Sequence, residues 1–153
     1  MNWKACAQSS AKVHYKFYST NFSLVAGIKP VEPRITVTNQ TRISFQKGQL
    51  KLVSSLLYNI ERTGVFEVKI KLPEELTIES VVTDRLREFT IDDATGVMTV
   101  SFLEQRTGNL QINLVGHIEH DEDETENLTL PIPEPLATFQ ETGTVTVIAP
   151  ISL

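Results

Sequence analysis

The stretch YNIERTGVFEVKIKLPEELTIESVV, residues 58–82, alternates apolar and polar side chains on either side of Arg62-Thr63-Gly64. Tyr58 and Ile60 fall on one face of an extended chain. Beyond the Thr-Gly step Phe66, Val68, Ile70 and Leu72 come back into phase, while Glu67, Lys69 and Lys71 occupy the opposite face. One apolar face and one wet face is the pattern of an antiparallel strand buried on one side. Arg62-Thr63-Gly64 has turn chemistry and Pro73 ends the second run, so residues 58–72 predict a hairpin. Phe66, Val68 and Ile70 are its expected contribution to the core. Glu67, Lys69 and Lys71 form a charged face suited to a neighbouring partner.

The same period extends along the chain. Residues 34–38 and 41–45 alternate around Asn39-Gln40, which reads as a second hairpin turn, and Lys47-Gly48 breaks the run. In residues 49–60 the side chains Leu50, Leu52, Leu56, Tyr58 and Ile60 share a face. Residues 76–82 are β-branched-rich. Phe89-Thr90-Ile91 leads into Asp92-Asp-Ala-Thr-Gly96, a turn in which Asp accepts backbone hydrogens and Gly takes positive φ. Residues 97–103 pair back across that turn. Arg106-Thr-Gly-Asn109 reads as a further turn, into a strand with Leu110, Ile112, Leu114 and Ile118 on one face. Residues 127–130 and 144–148 supply the last strands, the latter after the stiff Pro131-Ile-Pro-Glu-Pro135. Strands at this spacing, without helical periodicity, predict an all-β antiparallel sandwich of immunoglobulin-like architecture over residues 34–153.

Residues 1–33 are a separate N-terminal segment. Residues 13–18 and 22–26 have the alternation of one or two strands, and residues 3–11 that of a short amphipathic helix weakened by Ser9-Ser10. Pro30 and Pro33 make the rest an extended connector.

With 153 residues and 41% apolar content, the chain is able to bury a core without disulfides, and its single cysteine, Cys6, forms none within the chain. No run reaches the ~18 apolar residues of a membrane span, and the first residues lack the apolar stretch of a signal peptide. Charge is divided: residues 1–76 hold eleven basic and five acidic side chains, residues 77–153 three and fourteen. Such a split solvates opposite faces of one sandwich or orients a docking partner. Without a basic patch interleaved with aromatics, it does not predict nucleic-acid binding.

Chemistry-bearing clusters are sparse. His117-Ile-Glu-His120 with Asp121-Glu-Asp-Glu124 is the densest. Its histidines are three apart, not the four of the helical H-E-x-x-H zinc motif. A metal at His117, Glu119 and Asp121, calcium included, requires the strand to end there, and a solvated acidic loop is the competing reading. Asp92-Asp93 fits a hairpin turn better than a calcium site, and a metal-dependent hydrolase is therefore the weakest functional reading. Neither a G-x-S-x-G elbow nor a phosphate loop occurs. Asn21-Phe-Ser23, Asn39-Gln-Thr41 and Asn127-Leu-Thr129 match the N-glycosylation acceptor pattern. Trp3, Tyr15, Phe17, Tyr18 and Phe22 gather near the N-terminus, where Tyr15 and Tyr18 would serve a carbohydrate-binding module if exposed.

The run Tyr58-x-Ile60-x-Arg62-x-Gly64-Val65-Phe66 closing on Leu72-Pro73, with Pro135-Leu136 and Gly143-Thr-Val145, resembles the β-sandwich modules of large bacterial cell-envelope proteins, over residues 50–148. That resemblance implies an extracytoplasmic, non-catalytic structural or binding module without a cofactor, whose partners are neighbouring modules or another protein.

Overall fold

Two strands of 23 residues dominate the chain in a computed structural model, which describes residues 14, 16, 18, 20, 21, 23–120 and 129–149. In order, the strands are β1 (Arg34–Gln46), β2 (Gln49–Lys71), β3 (Thr77–Thr83), β4 (Leu86–Asp92), β5 (Val97–Glu119), β6 (Glu134–Pro135) and β7 (Gln140–Ile148). There is no helix among the described residues.

A straight strand of 23 residues would run about 75 Å at ~3.3 Å per residue, far beyond the ~13 Å radius of gyration of a 100-residue domain. Paired bulges resolve the conflict. β2 and β5 pair antiparallel from Gln49↔Glu119 to Ile60↔Gly108; the register then shifts on both strands before it resumes from Glu67↔Ser101 to Lys71↔Val97. Bulges bend a strand and increase its twist. One core cluster contains Leu56, Tyr58 and Ile60 from before the break and Val68, Ile70 and Leu72 from after it. The same cluster takes Met98, Val100, Phe102, Leu110, Ile112 and Leu114 from the two halves of β5. Each long strand therefore contributes to both layers of a sandwich.

One layer runs β3-β5-β2-β1-β7, with β3 on residues 112–117 of β5. The other is built from the far halves of β2 and β5, flanked by β6 and β4. All pairings are antiparallel except β1 with β7, which is parallel. The all-β sandwich expected from alternation is what the chain forms.

Three expected turns are not turns. Arg62-Thr63-Gly64 lies within β2 and Arg106-Thr-Gly-Asn109 within β5, so the hairpin read over residues 58–72 is a single bulged strand. Asn39-Gln40 lies within β1, which continues to the Lys47-Gly48 loop, where Gln46 pairs Gln49 and Gly48 has φ 75°. Bulges need the backbone that turns need: Arg62 (φ 72°) and Gly108 (φ 71°) are both left-handed. Gly64 serves close approach instead, since a Cβ there would lie 2.6 Å from Gln105 Cγ and 2.9 Å from the Arg106 carbonyl.

The bulge also corrects the core. Phe66 sits at the register shift between Val65 and Glu67 and is 62% exposed, whereas Val68 and Ile70 are buried as expected. The Asp92–Gly96 turn forms as read: Asp92 Oδ1 accepts from Ala94 N at 3.0 Å, Oδ2 accepts from Thr95 Oγ1 at 2.9 Å, and Gly96 has φ 65°. Residues 23–26, expected to be a strand, are not in one, nor are His14, Lys16, Tyr18, Thr129 and Leu130.

Candidate functional site

The last strand is the feature the rest of the fold leaves open. β7 pairs with β1 from Thr36↔Gln140 to Ser44↔Ile148, and among the described residues nothing pairs with its other side. All nine of its residues are exposed. Residues 141, 143, 145 and 147 oppose Val37, Asn39, Thr41 and Ile43, which are buried on the core side of β1. Val145 and Val147 thus point to the core side, yet they remain 38% and 45% exposed. A long edge strand rich in β-branched residues, with no Lys or Pro, is a template for pairing another chain.

What holds that edge is a buried polar cluster. Asn39 Nδ2 donates to the Pro133 carbonyl at 2.8 Å and to Glu141 Oε1 at 3.4 Å. Its Oδ1 accepts from Thr41 Oγ1 at 2.8 Å and from Ser54 Oγ at 3.2 Å. The two hydroxyls lie 3.0 Å apart across the Thr41↔Ser54 pair. Both donors and the acceptor of Asn39 are thereby occupied, which makes an amide tolerable in a core. Through Pro133 and Glu141 it ties the crossover before β7, and β7 itself, to β1. Gly143 lies opposite, where a Cβ would come within 3.2 Å of the Asn39 carbonyl. The Asn39 acceptor pattern is therefore buried in mid-strand and has no accessible amide.

Further along, the Leu136 amide donates to the Lys69 carbonyl and the Phe139 amide to the Ile35 carbonyl. The Arg34 guanidinium stacks 4.2 Å from the Phe139 ring centroid. Tyr58 is buried with no partner for its hydroxyl among the described residues. Burial, and then the charge of Glu141, push its phenol well above the ordinary value of 10.0. On the outer face a shallow groove of about 400 Å³ runs along β7, lined by Gln40, Arg42, Val53, Ser55, Thr144 and Thr146.

The residues singled out from sequence lie elsewhere. Glu67 and Lys69 form an exposed 3.8 Å ion pair on the outer face of β2, and Lys71 Nζ donates to the Thr95 carbonyl. Glu67, Lys69 and Lys71 are thus a solvated face engaged with itself and the adjacent turn. Tyr18 is exposed, with Lys16 Nζ 5.6 Å from its ring centroid; Tyr15 lies outside the described residues. His117 Nδ1 is 2.7 Å from Glu79 Oε1 across the β3–β5 pair, and Glu119 ends β5. Asp121 lies outside the described residues, and among those described no three His, Cys, Asp or Glu side chains gather to hold a metal. Sequence reasoning identified β7 as a strand but missed that it is an edge, and it read Asn39 as a turn residue.

The fold and this edge define a β-sandwich domain with an open strand. No protein-family model matches the sequence, and no curated protein matches it significantly. Among solved structures, an M1 zinc metallopeptidase of Deinococcus radiodurans is similar over 78% of this chain, at 13% identity and a TM-score of 0.55. Its substrate-bound mutant matches over 76%, at the same identity and score. The chain spans about a third of the length of those peptidases, 33% in each case. The likeness is one of fold, and the 153 residues contain no H-E-x-x-H. A cohesin of Acetivibrio cellulolyticus, solved with a dockerin, matches over 75% of this chain and 99% of its own, at 12% identity. Its TM-score of 0.44 is too low to carry an argument.

Proposed function

We propose that this chain is a non-catalytic module of a larger envelope or surface protein, and that it binds another protein segment by strand addition at β7. The observation that carries this reading is the nine-residue open edge with Val145 and Val147 uncovered on its core side. In strand addition, main-chain hydrogen bonds supply affinity and side chains at alternate positions supply selectivity. Here the alternate positions are small or β-branched, Gly143, Val145 and Val147, and they suit an apolar alternating strand. The cluster around Asn39 holds the edge in place before any partner arrives, which lowers the ordering cost of binding.

The test is fluorescence anisotropy with a labelled nine-residue Thr/Val alternating peptide bearing lysines at its ends. Saturable micromolar binding is expected, weakened at least tenfold by Val145→Lys and unchanged by Phe66→Ser. A flat titration up to 1 mM, or equal loss in both variants, would sink the edge as the binding surface.

A further inference from the structure

A second stretch of the chain is also without a place in the core. Residues 23–33 carry no regular secondary structure and are exposed throughout. Leu24 and Val31 are exposed, and Val25 and Ile28 almost wholly so, at 93% and 94%. Leaving a large aliphatic side chain in water forgoes about 1.5–3 kcal/mol relative to full burial, so four within eleven residues call for a covering surface. At strand period Leu24, Ala26 and Ile28 share one wholly apolar face, opposite the mixed Ser23, Val25, Gly27 and Lys29.

We infer that residues 23–29 are the natural occupant of the β7 edge, and that they reach it from a second copy of the chain. This rests on the strand-addition reading above and names the partner. Set antiparallel, Ile28 falls opposite Gly143, Ala26 opposite Val145 and Leu24 opposite Val147. Ile28 then faces the space beside Gly143, Leu24 faces the otherwise open Val147 and Ala26 faces Val145, while Val25 falls on the opposite face. The charges are complementary: residues 1–33 carry four lysines and one glutamate, while residues 129–149 carry Glu134 and Glu141 and no Lys or Arg.

The structure keeps the arm off the chain's own edge, since residues 23–33 are exposed and no strand but β1 pairs with β7 among the described residues. The arm leads into β1 at Arg34, one strand away from β7. To fold back onto its own β7 it must reverse within residues 29–33. Lys29 and Glu32 each precede a proline and are thereby biased away from helical backbone, which narrows the ways that reversal is made. Reciprocal donation between two copies satisfies both edges and closes the assembly with twofold symmetry.

Two variants in a Cys6→Ser background test this, Leu24→Cys and Val147→Cys, since directly opposed residues in an antiparallel pair lie ~4.5–5.5 Å apart at Cα, within disulfide range. Mixed under mild oxidation, they are expected to give a dimer on a non-reducing gel that contains one chain of each. The wild type is expected to sediment as a concentration-dependent dimer, and Ile28→Asp to be monomeric with an unchanged circular dichroism spectrum. A chain that stays monomeric at 100 μM overturns the inference, as does a Leu24→Cys/Val147→Cys double variant that bridges within one chain. A dimer broken by Val145→Lys but not by Ile28→Asp also overturns it while leaving the edge reading intact. A flat wild-type titration in the anisotropy experiment is a separate result, and it removes that reading itself.

Discussion

Replacing Asn39 with alanine tests whether the buried polar cluster holds the crossover and β7 to the sheet. The side chain is 2% exposed, and its two shortest hydrogen bonds, to the Pro133 carbonyl and from Thr41, are both 2.8 Å. Each such bond contributes about 1 kcal/mol net. Removing the amide also leaves the carbonyl of fully buried Pro133 without this donor, a desolvation penalty of about 1–2 kcal/mol. Thr41 and Ser54 cost little extra, because their hydroxyls are 3.0 Å apart and one can turn its hydrogen to the other once Asn39 is gone. The expected loss is therefore about 3–4 kcal/mol. For a domain of this size that corresponds to a fall in Tm of roughly 10–15 °C.

Urea unfolding followed by circular dichroism at pH 7 measures the loss, with a constant m-value showing that the unfolded state is unchanged. Gln40→Ala, one position along and exposed, is the control and is expected to shift stability by less than about 0.5 kcal/mol. Ser54→Ala is expected to cost only about 1 kcal/mol, since Thr41 still donates to Asn39. Amide exchange across β7 should quicken in Asn39→Ala more than in β3, which the cluster does not touch. A loss below about 1 kcal/mol, or equal quickening in β3 and β7, would show that the edge is held by something other than this amide.

Tyr58→Phe removes a buried hydroxyl with no described partner and is expected to be neutral or stabilising by up to about 1 kcal/mol, read by the same urea titration. Because the phenol is raised in the folded state, it adds stability below the unfolded value of 10.0 that is lost as pH climbs above it. Wild type should therefore weaken between pH 10 and 11 by a component that the phenylalanine variant lacks. Ile70→Ala should cost about 2–5 kcal/mol as a core truncation, while Phe66→Ala should stay within about 0.5 kcal/mol; similar costs would place Phe66 in the core after all. Asp92 is held below the usual carboxylate range by the Thr95 hydroxyl and then the Ala94 amide. Its stabilising effect is present above the unfolded value near 3.8 and is lost as pH falls through the lower folded value. Asp92→Asn should flatten that acid limb in a pH series of melting temperatures.

Alternation alone was enough to read the strands and most of the core, because a one-residue error in phase would move a whole row of side chains to the wrong face. Leu50, Leu52, Leu56, Tyr58 and Ile60 are all buried as their spacing requires. Punctuation was harder. Gly48 and Gly96 end strands, whereas Arg62 and Gly108 adopt the same left-handed backbone in the middle of strands. Residue type reports the local φ, and a hairpin loop and a bulge demand the same φ. Only the pairing of β2 with β5 beyond the break distinguishes them, and that pairing, from Glu67↔Ser101 to Lys71↔Val97, joins residues far outside any local window. Phe66 was misplaced for the same reason, its phase being carried across a bulge as though the strand were regular.

Edge status is further removed from local sequence. Thr144-Val-Thr-Val-Ile148 would suit the centre of a sheet as well as its rim, since burial on both faces or on none favours the same β-branched residues. What leaves β7 open is its parallel pairing with β1 together with the crossover over residues 129–139, which delivers the strand to the last position in the layer. The Asn39 amide was legible only as turn chemistry, because nothing local says that Pro133, 94 residues away, will supply its acceptor. The site therefore depends on relations between distant segments, and its local signal is a contradiction. An apolar alternating arm at residues 23–29 stays outside the fold, while an apolar alternating strand at residues 140–148 has room beside it.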